Sequence, residues 1–278
     1  MAENSETKPD VKHGVAMALS IWAIVLVSVV YFFKYGMPEL AAERTSIDTL
    51  YYVILAITGA TYVIIQGLLG FYIWRFRYNE STEGSYWHHS HKMEVAWTLG
   101  TAAVLIPLVF AGLVIWDDVQ AAPPDDAIVV EAVGAQFQWD FRYPGPDGQL
   151  AEFRPELYSL QNPLGVDFDD ARAADDFSRT NQLVLPVNRV AHIRLRSKDV
   201  LHAFFLPNFR VKQDLVPGMQ TSVTFTPTKI GEYEIACAEL CGLGHYRMRA
   251  FLSIRSEADY QAWLQEQAEP EAEAAADN

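Results

Sequence analysis

The stretch Cys237-Ala-Glu-Leu-Cys-Gly-Leu-Gly-His-Tyr-Arg-Met248 holds both cysteines of the 278-residue chain, four residues apart, with His245 four further on and Met248 three beyond that. Thiolate, thioether and imidazole are soft or borderline donors, which favour copper over magnesium, calcium or manganese. Gly242 and Gly244 lie between them and let the backbone turn tightly enough to aim several donors at one point. Residues 233–236 alternate like a strand, so the donors sit on a loop at a strand's end. A single electron-transfer copper needs one Cys, two His and commonly a Met. The second Cys is surplus to that need, and two thiolates bridging a pair of metals account for it. Two plainer readings stay open on spacing alone. One is a disulfide: residues four apart on an extended strand lie about 13 Å apart, out of reach, though a loop brings them closer. The other is a mononuclear copper or zinc site.

Outward from the loop, short strand-like runs recur at 128–133, 136–143, 182–186, 190–196, 202–205, 219–225, 233–236 and 249–254, with turn residues between them. Such spacing predicts an antiparallel β-sandwich. A rigid β framework suits a redox metal, because it limits how far the donors move between oxidation states. Upstream, Asp199-Val-Leu-His-Ala-Phe-Phe-Leu-Pro207 supplies a further histidine. Alone, His202 would read as a core histidine; its place before a complete cysteine loop changes that. The run Gln136-Phe-Gln-Trp-Asp-Phe-Arg-Tyr-Pro144 alternates aromatic and polar residues, as a strand with one aromatic face does.

The loop fills every fixed position of C-x-E-x-C-G-x-x-H-x-x-M and resembles the dinuclear copper (CuA) loop of cytochrome c oxidase subunit II. The His202 segment, its continuation Lys212-Gln-Asp-Leu-Val-Pro-Gly-Met219 and the aromatic run at 136–144 are similar to that family in the same order. The likeness runs from about residue 47 to residue 254. It implies a membrane-anchored all-β, cupredoxin-like sandwich preceded by two or three transmembrane helices. It also implies two copper ions, bridged by Cys237 and Cys241, with His202 and His245 each on one. Met248 would be a weak ligand, and Glu239 would bind through its backbone carbonyl. The carboxylate of Glu239 would reach a magnesium ion shared with the catalytic subunit. Phe137 stands where the family carries its electron-entry tryptophan, so Trp139 and Phe137 are both entry candidates. Glu94-Val-Ala-Trp-Thr98 resembles the family's E-x-x-W-T, whose glutamate lies at the mouth of a proton path. The plainer reading of Glu94 is a snorkelling interfacial acid.

Composition divides the chain. Three long apolar runs, 14–35, 50–74 and 94–116, each reach the roughly 20 residues that cross a bilayer as a helix. A polar head, 1–13, precedes them. The 75–93 connection carries Arg75, Arg77 and Lys92, whereas 36–49 carries three acids and one arginine. The positive-inside rule therefore puts the large domain on the periplasmic face of a bacterial-type plasma membrane. The family has two such helices, matching the second and third runs. The first is either a retained extra helix or a signal peptide, for which Ala41-Ala42 offers small residues. Residues 117–278 hold 26 acidic against 14 basic residues, a formal charge of −12, which excludes nucleic acid as a partner class. A linker is expected at 117–126, the copper domain at 127–256 with an acidic insertion at 144–180, and a short helix with an acidic disordered tail at 257–278. The insertion's aspartates read as a solvated face suited to attracting a basic partner.

The resemblance implies that the chain is the electron-entry subunit of a respiratory oxidase. It would take electrons from cytochrome c and pass them to haem in catalytic subunit I, where oxygen would be reduced to water with proton translocation. The oxygen site would lie in that partner, with other oxidase subunits completing the complex. Two alternatives are a structural subunit of a quinol oxidase and a stand-alone membrane-anchored copper protein. The first would not need six donor positions; the second would need neither several membrane helices nor Glu94.

Overall fold

A computed structural model describes residues 11–79, 81 and 83–276, and these divide into two units. Most of the polar head, residues 1–10, lies outside the described residues. The first unit contains α1 (Val11–Lys34), α2 (Thr45–Arg75) and α3 (His91–Val119). At about 1.5 Å rise per residue, each exceeds the roughly 30 Å hydrocarbon thickness of a bilayer. All three are apolar enough to span one. Because α3 runs to Val119, the linker begins three residues later than expected.

The second unit is a sandwich of two five-stranded sheets. Its strands are β1 (Ile128–Ala135), β2 (Gln138–Tyr143), β3 (Phe177–Thr180), β4 (Gln182–Pro186), β5 (Ala191–Ser197), β6 (His202–Leu206), β7 (Val211–Leu215), β8 (Thr221–Phe225), β9 (Gly231–Cys237) and β10 (Arg249–Arg255). One sheet has the order β3-β2-β1-β5-β8 and the other β4-β10-β9-β6-β7. The expected sandwich is present, but two of its pairs, β1 with β5 and β4 with β10, are parallel rather than antiparallel. Long connections separate these partners in sequence, and that length is what allows parallel pairing.

The core lies between the sheets, filled by alternate residues of each strand. In β2, Trp139, Phe141 and Tyr143 face inward and are fully buried. Burying side chains of this size contributes about 1.5–3 kcal/mol each. The opposite face of β2 should meet water, yet Arg142 is buried there too, because the insertion covers it. Glu131 on β1 accepts from Arg142 Nε at 2.9 Å, Arg196 Nε at 2.6 Å and Arg196 Nη2 at 2.7 Å. Arg142 Nη1 also donates to Asp176 at 2.9 Å, and the Arg196 guanidinium stacks 3.4 Å over Phe153. Hydrogen bonds from both arginines outweigh burial and hold the Glu131 carboxyl below its ordinary range.

The insertion is accordingly docked, and it ends at residue 176, since 177–180 form the edge strand β3. Its aspartates are largely spent within the fold. Asp167 pairs with Arg154 at 3.0 Å, Asp170 with Arg172, and Asp176 with Arg142, while Asp175 accepts from Asp147 N–H. Acids neutralised in this way attract a basic partner less than their number suggests. At the C-terminal end, where a short helix and an acidic tail are expected, α4 (Glu257–Ala276) is an Ala/Glu-rich helix, and residues 277–278 lie outside the described residues. Its Trp263 packs onto Tyr143 and Phe177 of the sandwich, and Tyr260 stacks against Trp263.

The second unit also includes Pro38–Thr45, the connection between α1 and α2. Ala42 forms a β-bridge with Pro227, and Ala41 is hydrogen-bonded to Asn208 and Thr228.

Candidate metal centre

His202 opens β6 and Cys237 closes β9, and these strands are paired so that Phe204 lies opposite Cys237. The pairing fixes both donors on one rim of the sandwich. Cys237 N–H donates to Met248 O at 3.1 Å and Ala238 N–H to Ala203 O at 3.1 Å, closing the base of the loop that follows. His245 begins a single 3-10 turn that ends at Arg247, and Met248 leads into β10. Gly242 has φ 129°, in the region that favours glycine. At Gly244 the need is spatial, since a Cβ would lie 2.5 Å from the Phe137 ring. Phe137 thus covers the ligand loop, and Gln136 Nε2 ties it down with a 2.5 Å hydrogen bond to Cys241 O.

The donors converge. Cys237 Sγ lies 3.9 Å from His202 Nδ1, 3.8 Å from Cys241 Sγ and 3.2 Å from the Glu239 carbonyl oxygen. Cys241 Sγ lies 3.6 Å from His245 Nδ1 and 3.6 Å from Met248 Sδ. A disulfide needs about 2.05 Å between sulfurs, so both thiols are free. Two thiolates bound tetrahedrally to one metal at about 2.3 Å would stand about 3.8 Å apart, and the spacing here is compatible with that. His202, Cys237 and Cys241 form the one compact metal-ligand group among the described residues. The six positions singled out in the sequence are therefore brought together, while Glu94 sits in the first turn of α3.

The surroundings prepare two of the donors electrically. Burial opposes the Cys237 thiolate, but hydrogen bonds with His202, Ala203, Glu239 and His245 outweigh it and bring the thiol down to about 6. Burial, then the charge of Cys237, pushes Cys241 up to about 11. A cation between the sulfurs would reverse that second shift, since thiolate is the metal-binding form. His202 Nε2 meets Asp199 Oδ1 at 2.8 Å. That contact places the ring proton on Nε2 and leaves Nδ1 as the acceptor facing Cys237. Asp199 Oδ2 accepts from Gln136 N–H at 2.7 Å, so one carboxylate ties the 136–137 loop to the histidine. Neither Asp199 nor Gln136 was assigned a role from sequence, although a carboxylate three residues before a ligand histidine is a usable signal.

Trp139 packs edge-on to His202 with ring centroids 6.2 Å apart, and it is 0% exposed. Of the two entry candidates, β2 turns Trp139 into the core beside His202. Phe137 is half-buried, with Arg247 above its ring.

Residues 128–254 match the model of a family described as cytochrome c oxidase subunit II, periplasmic domain. An alternative cytochrome c oxidase subunit 2 from Bradyrhizobium diazoefficiens is 36% identical over 255 residues, covering 91% of this chain and 92% of that protein. The cytochrome c oxidase subunit 2 of Cereibacter sphaeroides is 27% identical over 245 residues, 82% of this chain and 78% of that one. Among solved structures, the periplasmic domain of a cytochrome oxidase subunit II from Bradyrhizobium japonicum is similar at 29% identity. It covers 53% of this chain and 97% of that one, with a TM-score of 0.39.

Proposed function

The chain belongs to the cytochrome c oxidase subunit II family, the members of which are subunits of haem–copper oxidase complexes, and on that premise we propose that it is the electron-entry subunit of such a complex. The observation that carries this reading is the meeting of four donor side chains, Cys237, Cys241, His202 and His245, on one rim of a rigid sandwich. Met248 Sδ and the Glu239 carbonyl complete a donor set that would hold two coppers. Bound there, copper would supply reversible one-electron exchange.

The chain's own residues orient and shield that centre. Asp199 fixes the His202 tautomer, Trp139 braces the ring from the core side, and Phe137 excludes water above Gly242 and Gly244. With Trp139 enclosed, Phe137 is the aromatic placed for contact with the donor, cytochrome c. The acceptor is haem in the catalytic subunit, towards which the Glu239 carboxylate would share a magnesium ion. Glu94 fits the mouth of a proton path, at the entry of a helix where an ionisable side chain is costly without a role. The copper domain would face the periplasm. A quinol-oxidase subunit that has lost copper is disfavoured, because such a subunit has no use for free, converging thiols.

Oxygen uptake by the purified complex tests the reading. Reduced cytochrome c is expected to sustain turnover, with a rate that falls as ionic strength rises, since the domain is acidic. Uptake sustained by quinol but not by cytochrome c would overturn the proposal.

A further inference from the structure

We infer that α1 is a permanent third helix of the mature protein, seated on α2, and that Ala41-Ala42 is part of the β domain and not a site of leader removal. The first observation is the strap. Ala41 and Ala42 are 1% and 3% exposed and belong to the sandwich core, with Leu40 packed beside them. Upstream of any cut at Ala42, Pro38 O accepts from Arg210, Glu39 O accepts from Asn208, and the Glu39 carboxylate pairs with Lys229. Downstream, Glu43 caps Thr226 N–H and Arg44 donates to Thr224 O at 2.5 Å. Cleavage here would remove residues that the domain uses as core and as hydrogen-bond partners. The local sequence agrees. A leader cut favours small residues at the last position and two before it; a cut after Ala42 would have Leu40 there, and one after Ala41 would have Glu39.

The second observation is independent and lies in the helical unit. Trp22 Nε1 donates to Gly67 O at 3.3 Å, and the indole fills a notch at Gly70, where a Cβ would come within 2.4 Å of Nε1. Gly14 lies against Arg77, and the Ser28 and Tyr62 hydroxyls are 3.4 Å apart. These contacts step down α1 and up α2 in one antiparallel register. Small residues that admit a partner's ring, joined by polar contacts, are how helices associate in lipid, where apolar burial gives no drive. Gly70 is the buried residue of α2, and Trp22 is what it accommodates. A cleaved leader would leave that notch lined by bare backbone.

The inference does not depend on the copper reading and is tested on the full chain purified from membranes. N-terminal sequencing is expected to find a start within the first 13 residues; a start at any later residue overturns retention. Seating is read by pairing Gly14→Cys with Arg77→Cys, since a Cβ at Gly14 would lie 3.2 Å from the Arg77 Cβ, and oxidising mildly. Trypsin cuts at Lys34 and Arg75 should then leave the α1 peptide joined by a reducible bond to the peptide that follows α2, and joining should be lost when Gly70→Leu fills the notch. Peptides that separate in the double variant, or stay joined after Gly70→Leu, overturn the seating.

Discussion

Substitution of Cys241 by serine is expected to lower cytochrome c oxidation by the complex more than about 100-fold, beyond the 10–100-fold typical of losing a partner outside the ligand set. Cys241 Sγ stands within 4 Å of Cys237 Sγ, His245 Nδ1 and Met248 Sδ, so one atom joins half of the site to the other. A serine hydroxyl is a hard donor that stays protonated near neutrality and cannot bridge as a thiolate does. The change is nearly isosteric, and Gln136 binds the backbone carbonyl at 241, not the side chain, so the loop should keep its shape. Far-ultraviolet circular dichroism and the haem bands of the complex check that point. Retained activity with unchanged structure would refute the bridging role.

The second large effect is on stability. Glu131→Gln should cost about 3–5 kcal/mol, because it leaves the buried Arg142 guanidinium with Asp176 and the buried Arg196 guanidinium with the uncharged Tyr158 hydroxyl and Leu164 carbonyl. Melting of the domain within the detergent-solubilised chain should fall by about 10 °C. Substitution of exposed Glu156 by glutamine should change stability by no more than about 0.5 kcal/mol. The sign with pH follows from the depressed native pKa of Glu131. Its contribution is complete above the unfolded carboxyl value, about 4.3, and is lost as pH falls through the lower folded value. The gap between wild type and variant should therefore be widest near neutrality and close on acidification. A gap that widened below pH 4 would contradict the network as described.

The convergence of the 237–248 donor loop was legible because its donors are close in sequence, and two glycines mark where the chain must turn. The inward face of β2 was equally legible, since Trp139, Phe141 and Tyr143 alternate without interruption. What escaped were features decided by distant partners. Val211–Leu215 and Phe177–Thr180 carry too few apolar residues to declare themselves as strands, and they are strands because they pair with β6 and β2. The aspartates at 167–176 look solvated in sequence, but Arg142, Arg154 and Arg172 neutralise three of them. Ala41-Ala42 looked like a processing signal because smallness is common to cleavage sites and tight packing. The segments that receive it, at 208 and 226–228, lie far along the chain.

The central claim is that free, adjacent thiols at Cys237 and Cys241, with His202 and His245 beside them, hold a pair of coppers that share one electron. Copper quantified per chain in the purified complex, together with its electron-spin-resonance spectrum, tests this most directly. The account predicts two coppers on this subunit and a hyperfine pattern from one unpaired spin spread over both nuclei. A single copper with a one-nucleus pattern, or Cys237 and Cys241 joined as a disulfide in the active complex, would contradict it.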